Sequence, residues 1–347
     1  MKNWISRLFG GSPEPQAAPI TVAGPATTID RAPDTTGAPG SADSADADDT
    51  ETLDGGAADA LFYRWLVGPA DAVAASTEQL ILDELARLAA SPSGGANLVP
   101  RVPAVIPQLL KSLRDEGVSG ADLSRQIAQD VVLVAEVIRE ANSPYYHPTA
   151  PIKTIEGAVM LLGQNGLRML LARVSFRPII SMQSGYFAKR VAPQVWSQSE
   201  KCALAGSLLA PALQANPFEA YLCGLMHNVG MIVAFRLIDQ IYHEQTLPES
   251  DQFCAGLAHA ARVLSARIAA LWDFPASVVE AIERMDDASV DEPDAPALAR
   301  ALAAADRLSK LRMLVDAGQL DADDPQVTGD MDRATLKCFD KLRMQED

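Results

Sequence analysis

Apolar residues recur at helical spacing along most of this chain, and no stretch shows the period-two alternation of a half-buried strand. Ile81, Leu85 and Leu88 share a face behind Ser76-Thr77-Glu78-Gln79, whose Ser-to-Gln spacing predicts a capping box. Residues 91–97, with Pro92, Gly94 and Gly95, read as a linker. A helix is expected over 103–113. Ser119 can cap the next, with Leu123 and Ile127, and Asp130 another, with Val134 and Ile138 on one face. Pro144 disfavours a helical residue before it and ends that helix at Asn142-Ser143. Thr154 can cap a helix to Leu162, with Gly163 at its C-cap. Helices over 167–180, 194–213, 219–241, 252–271 and 277–285 follow. Pro296 suits the first turn of the next and Gly318 its end, and a last helix spans 331–344. The pattern predicts an all-α protein without solenoid repeats.

Composition changes that picture at the N-terminus. Residues 11–58 are rich in Ala, Pro, Gly, Thr, Ser and Asp, with few side chains large enough to pack. Such a segment cannot offset its ordering entropy, so an acidic disordered tail is expected, with order beginning near Asp59. Trp4, Ile5, Leu8 and Phe9 share a face in the first ten residues and suit weak contact with a membrane surface or a partner. The net charge is −16, which argues against nucleic acid as the main partner, because no basic surplus exists to release counterions. No uninterrupted apolar run reaches the 18 or so residues of a membrane span, and no secretory signal is apparent. Cys202, Cys223, Cys254 and Cys338 are widely spaced, without a CxxC pair, and read as buried thiols in a reducing cytoplasm.

The candidate chemistry lies in Leu225-Met226-His227-Asn228-Val229-Gly230, within an apolar run. His-Asn-x-Gly resembles the His-Asp-x-Gly signature of the HD phosphohydrolases, with asparagine for aspartate. The neutral amide oxygen is a weaker metal ligand than a carboxylate. Other motifs agree in order. Leu98-Val99-Pro100-Arg101-Val102-Pro103 resembles a Leu-Pro-x-Leu-Pro opening. Ala141-Asn142-Ser143-Pro144-Tyr145-Tyr146 resembles an Ala-Asn-Ser-x-Tyr/Phe turn. Thr154-Ile155-Glu156-Gly157-Ala158 with Leu161-Leu162-Gly163 resembles a Ser/Thr-Ile-x-x-Ala-Ile-x-x-Leu-Gly helix. Trp196 to Ala203 resembles a helix that begins Trp-x-His-Ser, and Trp272-Asp273-Phe274-Pro275 a Trp-x-x-Pro turn. Together these resemble the HDOD family (HD-related output domains) of bacterial signalling proteins.

The resemblance implies an HD-like multi-helix bundle. It divides the chain into a tail (1–58), a helical extension and linker (59–97), an HDOD domain (98–290) and C-terminal helices (291–347). In related catalytic HD enzymes a histidine, the His-Asp pair and a distant aspartate hold a metal that activates water. Carried over, these positions fall on Gln198, on His227 and Asn228, and on Asp306, so two of four strong ligands are missing. No cofactor or metal is therefore expected. Gln198 and Asn228 can build a neutral hydrogen-bonded network in the metal's place. Asn142, Ser143, Tyr145, Tyr146, Trp196 and Trp272 are structural or interaction positions. The leading reading is a non-catalytic regulatory module that contacts other signalling proteins, of open oligomeric state. A small-ligand or nucleotide-binding module is the first alternative. A divergent metal-dependent phosphohydrolase that recruits Glu200 or Glu219 is the second.

Overall fold

The computed structural model describes residues 52–69, 73–91, 98, 120–128, 130–143, 146, 148–181, 184–286 and 294–343. The first fifty-one residues, the expected 103–113 helix, the Ser119 cap, Pro144, Tyr145, His147 and the opening motif beyond Leu98 lie outside the described residues. Among the described residues every regular element is helical.

Thirteen helices are described in chain order. They are α1 (Gly55–Val67), α2 (Ala75–Ala90), α3 (Gly120–Ile127), α4 (Val131–Ala141), α5 (Ile155–Ser181), α6 (Tyr186–Leu209) and α7 (Pro217–Met226). Next come α8 (Val229–Ile241), α9 (Asp251–Leu271), α10 (Ala276–Glu283), α11 (Ala297–Asp316), α12 (Pro325–Thr328) and α13 (Arg333–Lys341). Helix α6 is the hub. It packs most extensively on α7 and α11, then on α8 and α5, while α9 covers α8 and α1 lies across α11 and α9. The main core runs through these elements and includes Phe176, Phe187, Phe235 and Phe253, all buried. Burying each such side chain contributes about 1.5–3 kcal/mol. A smaller core of Ile127, Val137, Ala141, Leu167 and Leu171 joins α3, α4 and α5.

Local signals set many of the boundaries. The Asp130 carboxylate accepts from the Val132 and Leu133 amides, and the Thr154 hydroxyl from Gly157. Gly163, at φ 68°, breaks α5 where a C-cap is expected, and the chain re-enters the helix at once. Gly318, at φ 66°, follows the end of α11.

Other expectations need correction. Ser76 does not cap α2, which starts at Ala75 from an uncapped Ala74. Glu78 instead accepts from the Ser250 hydroxyl at 2.6 Å, the residue that caps α9. Order starts before Asp59, because Asp54 caps α1 and Ala58 is already core. Helix α6 begins at Tyr186, since Asp239 of α8 accepts from the Phe187 and Ala188 amides, a cap supplied from about fifty residues away. Pro296 is the N-cap of α11, and the last helix spans Arg333–Lys341 behind the short α12.

The expected single helix over 219–241 is two, broken at His227-Asn228. Apolar periodicity runs through the break, so the pattern cannot reveal it. Pro217–Ile241 and Asp251–Leu271 reach the length and mean hydropathy of a membrane span, although charged residues interrupt both. The apolar window of the first is 89% buried. Its hydrophobicity serves the core, as in α8, where Ile232, Val233, Phe235 and Ile238 are all buried.

Candidate functional site

The break between α7 and α8 places His227 and Asn228 inside the bundle, facing α6 and α11. Two glycines permit it. A Cβ on Gly224 would stand 2.3 Å from the Ala203 amide nitrogen of α6, and one on Gly230 would stand 2.0 Å from the Ala261 carbonyl oxygen of α9. Both helices approach their neighbours backbone to backbone. Ser265 of α9 secures the turn by accepting from the Gly230 amide at 2.8 Å and donating to the His227 carbonyl at 2.5 Å.

The four positions singled out by resemblance converge. Gln198 is fully buried, and His227, Asn228 and Asp306 nearly so. The amides form a directed relay in which Asn228 donates to the Gln198 carbonyl oxygen. Gln198 Nε2 in turn donates to Asp306 Oδ1 at 2.8 Å and to Ser309 Oγ at 2.8 Å. His227 has acceptors at both ring nitrogens, with Nδ1 at 2.8 Å from the Gly224 carbonyl and Nε2 at 3.0 Å from Asp306 Oδ1. A carbonyl and a carboxylate only accept, so these two contacts favour a proton on each nitrogen and the imidazolium form. Burial opposes that charge, but the Cys202 sulfur and the Asp306 carboxylate beside the ring outweigh it and raise its pKa.

Four residues that sequence reasoning missed complete the site. Lys310, one turn beyond Asp306 on α11, places its ammonium 2.5 Å from Asp306 Oδ2 and also pairs with Asp59 of α1. Arg262 of α9 reaches the other Asp59 oxygen at 2.9 Å and also pairs with Asp286. Cys202, one turn beyond Gln198, brings its sulfur within 4.8 Å of the His227 and Asp306 ligand atoms. An i, i+4 spacing signals Lys310 and Cys202 once Asp306 and Gln198 are chosen. Asp59 carries no such signal, because 251 positions separate it from Lys310.

Burial alone would hold Asp306 protonated. Lys310, then His227, outweigh it and draw its pKa below the usual carboxylate range. Lys310 is raised, because Asp306 and Asp59 together outweigh its burial. The stability that depends on Asp306 is present above its unfolded value of about 4 and lost as pH falls through the folded value. The contribution of His227 has the opposite sense. It is present below the unfolded value of about 6.5 and lost as pH rises towards the raised folded value. The melting temperature of the wild type is therefore expected to fall as pH rises from about 6.5 to about 10, the raised value of His227. His227→Gln should lack most of that alkaline slope, and equal slopes in thermal melts of the two proteins would rule the imidazolium out.

The set does not fit a divalent metal as it stands. Cys202, His227 and Asp306 bring three donor atoms together, but His227 Nε2 is engaged with Asp306, Asn228 and Gln198 offer neutral amides already bonded to each other, and Asp306 accepts from three donors. Glu200 pairs with Arg173 and Glu219 accepts from Ser277, so neither joins the cluster. The adjoining cavity, lined by Asp59, Phe62, Met231, Arg262 and Lys310 among others, measures about 20 Å³, room for roughly one water.

The remaining motif residues among those described lie elsewhere and pack. The Asn142 amide donates to the Ile152 carbonyl at 2.8 Å and its oxygen accepts from the Ile152 amide at 2.7 Å, tying the end of α4 to the approach of α5. The Ser143 amide donates to Glu140, and Tyr146 is half-buried against the smaller core. Trp196 and Trp272 are each 5% exposed, and Trp272 stacks on Phe176 with ring centroids 6.3 Å apart.

Comparison with known proteins follows this geometry. The model of the HDOD domain family matches residues 99–288. An uncharacterized protein of Treponema pallidum (strain Nichols) is 26% identical over 213 residues, 58% of this chain, which spans 40% of that protein's length. An HDOD domain protein of unknown function from Geobacter sulfurreducens shares the fold at 20% identity and a TM-score of 0.51, over 78% of this chain and 94% of its own. A Shewanella amazonensis SB2B protein, whose name assigns it provisionally to the metal-dependent phosphohydrolases, aligns with a TM-score of 0.52 at 18% identity, over 77% of this chain and 98% of its own. At these identities the two structures speak to the fold alone.

Proposed function

The chain belongs to the HDOD domain family, and on that premise we propose that it is a non-catalytic regulatory module of bacterial signalling that acts through contacts with other signalling proteins. The observation that carries this reading is the saturation of Asp306, the one carboxylate in the expected ligand set. Gln198, His227 and Lys310 all donate to it. Metal-assisted hydrolysis needs carboxylate oxygens and imidazole lone pairs turned towards an ion, with an open position for water. Here those groups are turned towards each other. A nucleotide held in the same place would need space on the order of 300 Å³ or more, against a cavity of about 20 Å³.

The reading is tested on the full-length chain grown with Mn, Fe, Zn and Mg available. Elemental mass spectrometry should find no metal near stoichiometry, and a screen of nucleotides and phosphodiesters should find no turnover. Hydrolysis that is lost in Asp306→Asn would overturn it. Capture of partners with the full chain as bait then addresses which signalling protein it contacts.

A further inference from the structure

We propose that the Lys310 ammonium is the resident cation of this site, tethered to α11 and held between carboxylates of two helices, Asp306 and Asp59, so that the chain itself excludes a divalent metal. The inference rests on the non-catalytic reading of the site and says what replaced the ion. A neutral network of Gln198, Asn228 and His227 would account for a lost metal without any lysine. The lysine needs its own explanation, because a buried ammonium is costly unless it is fully paired.

The geometry supplies that pairing. Lys310 is 6% exposed, bonds Asp306 Oδ2 at 2.5 Å and bonds Asp59 Oδ1 from the opposite element. One compact cation between two carboxylates is the arrangement that a bridging metal ion adopts. The outer charges balance as well. Asp59, Asp306 and Asp286 face Lys310, Arg262 and His227, three carboxylates against three cationic groups. A divalent ion entering beside Lys310 would meet an ammonium already paired with both carboxylates.

The second carboxylate comes from α1, which precedes the matched residues 99–288. Asp59 thus lies outside the matched residues, as do Asp306 and Lys310, which follow them. Without Lys310, Asp59 and Asp306 would face one buried space, with the imidazole of His227 and the thiol of Cys202 in reach. Oxygen, nitrogen and sulfur donors together suit Zn²⁺ in particular, and Mn²⁺ less well.

The test uses the full chain as wild type, as Lys310→Ala and as Lys310→Gln, with Zn²⁺ and Mn²⁺ as probes. Elemental analysis, titration calorimetry and thermal melts are read together. The wild type should take up neither ion at this site. Lys310→Ala should take up about one equivalent of Zn²⁺ and melt at higher temperature with the ion than without it. Adding Asp59→Asn should weaken that uptake by about 10-fold or more. Three outcomes overturn the proposal. The wild type binds Zn²⁺ here as tightly as Lys310→Ala, or the folded variants bind none, or both variants stay unfolded with and without Zn²⁺, since the ion must be able to replace the ammonium. Failure of the regulatory reading is separate, because it shows as hydrolysis by the wild type.

Discussion

Asp306→Ala is expected to cost about 3–5 kcal/mol, a fall in Tm on the order of 10 °C, making it among the most damaging single changes in the chain. The aspartate is the only acceptor shared by His227 Nε2, Gln198 Nε2 and the Lys310 ammonium. Removing it leaves a buried imidazolium and a buried ammonium with one carboxylate fewer, and an amide donor bonded only to Ser309. Uncompensated buried charge is the costly case, far above the value of a surface ion pair. The loss should be strongly non-additive. In the Asp306→Ala background, Lys310→Met should cost much less than it does in the wild type, because the ammonium has already lost a partner. Denaturant unfolding of the four proteins of that cycle measures the coupling. A single-variant cost below about 1 kcal/mol would mean that water reaches Asp306 and that the site is not the closed network described.

Gly230→Ala is expected to cost about 3 kcal/mol or more, although alanine is the better helix former in isolation. The added Cβ would stand 2.0 Å from the Ala261 carbonyl oxygen and 2.7 Å from the Ser265 amide nitrogen. Both are backbone atoms of α9 and cannot rotate away. The only relief is to part α8 from α9, which would break the Ser265 bonds to Gly230 and His227 and dislodge the turn that carries the site. Gly318→Ala, just past the end of α11, is the contrasting control. Nothing lies within 4 Å of its Cβ position, and the cost there is the positive φ alone, about 1 kcal/mol. Urea midpoints for the two variants should differ accordingly, and equal midpoints would sink the claim that close helix approach, rather than backbone conformation, explains Gly230.

The resemblance read from ordered motifs brought Gln198, His227, Asn228 and Asp306 onto one list before any geometry, and the fold does place them together. It did so because each motif is local, a few residues with fixed spacing. Lys310 and Cys202 were within reach of the same reasoning, one helical turn from chosen residues. Asp59 was not, because nothing within α1 marks that carboxylate as facing Lys310 rather than solvent. What Glu200 and Glu219 bond to was illegible for the same reason. Their partners, Arg173 and Ser277, lie on other helices.

What the sequence alone determined is the helical class, most of the helices, the caps at Asp130 and Thr154, the break at Gly163 and the candidate ligand positions. These depend on periodicity and on side chains within a turn of the backbone they serve. Tertiary structure decided the start of α6, capped by Asp239, the division of 219–241 into two helices at His227-Asn228, and the burial of that span-length apolar stretch as core. It also decided part of the electrostatics of the site: Lys310 and Asp306 are an i, i+4 pair on α11, but the partners of His227 (Cys202 and Asp306) and the second partner of Lys310 (Asp59) are groups that only packing brings near. The physical reason is range: propensity and capping act over about four residues, whereas burial and Coulomb forces act between whatever the fold makes neighbours.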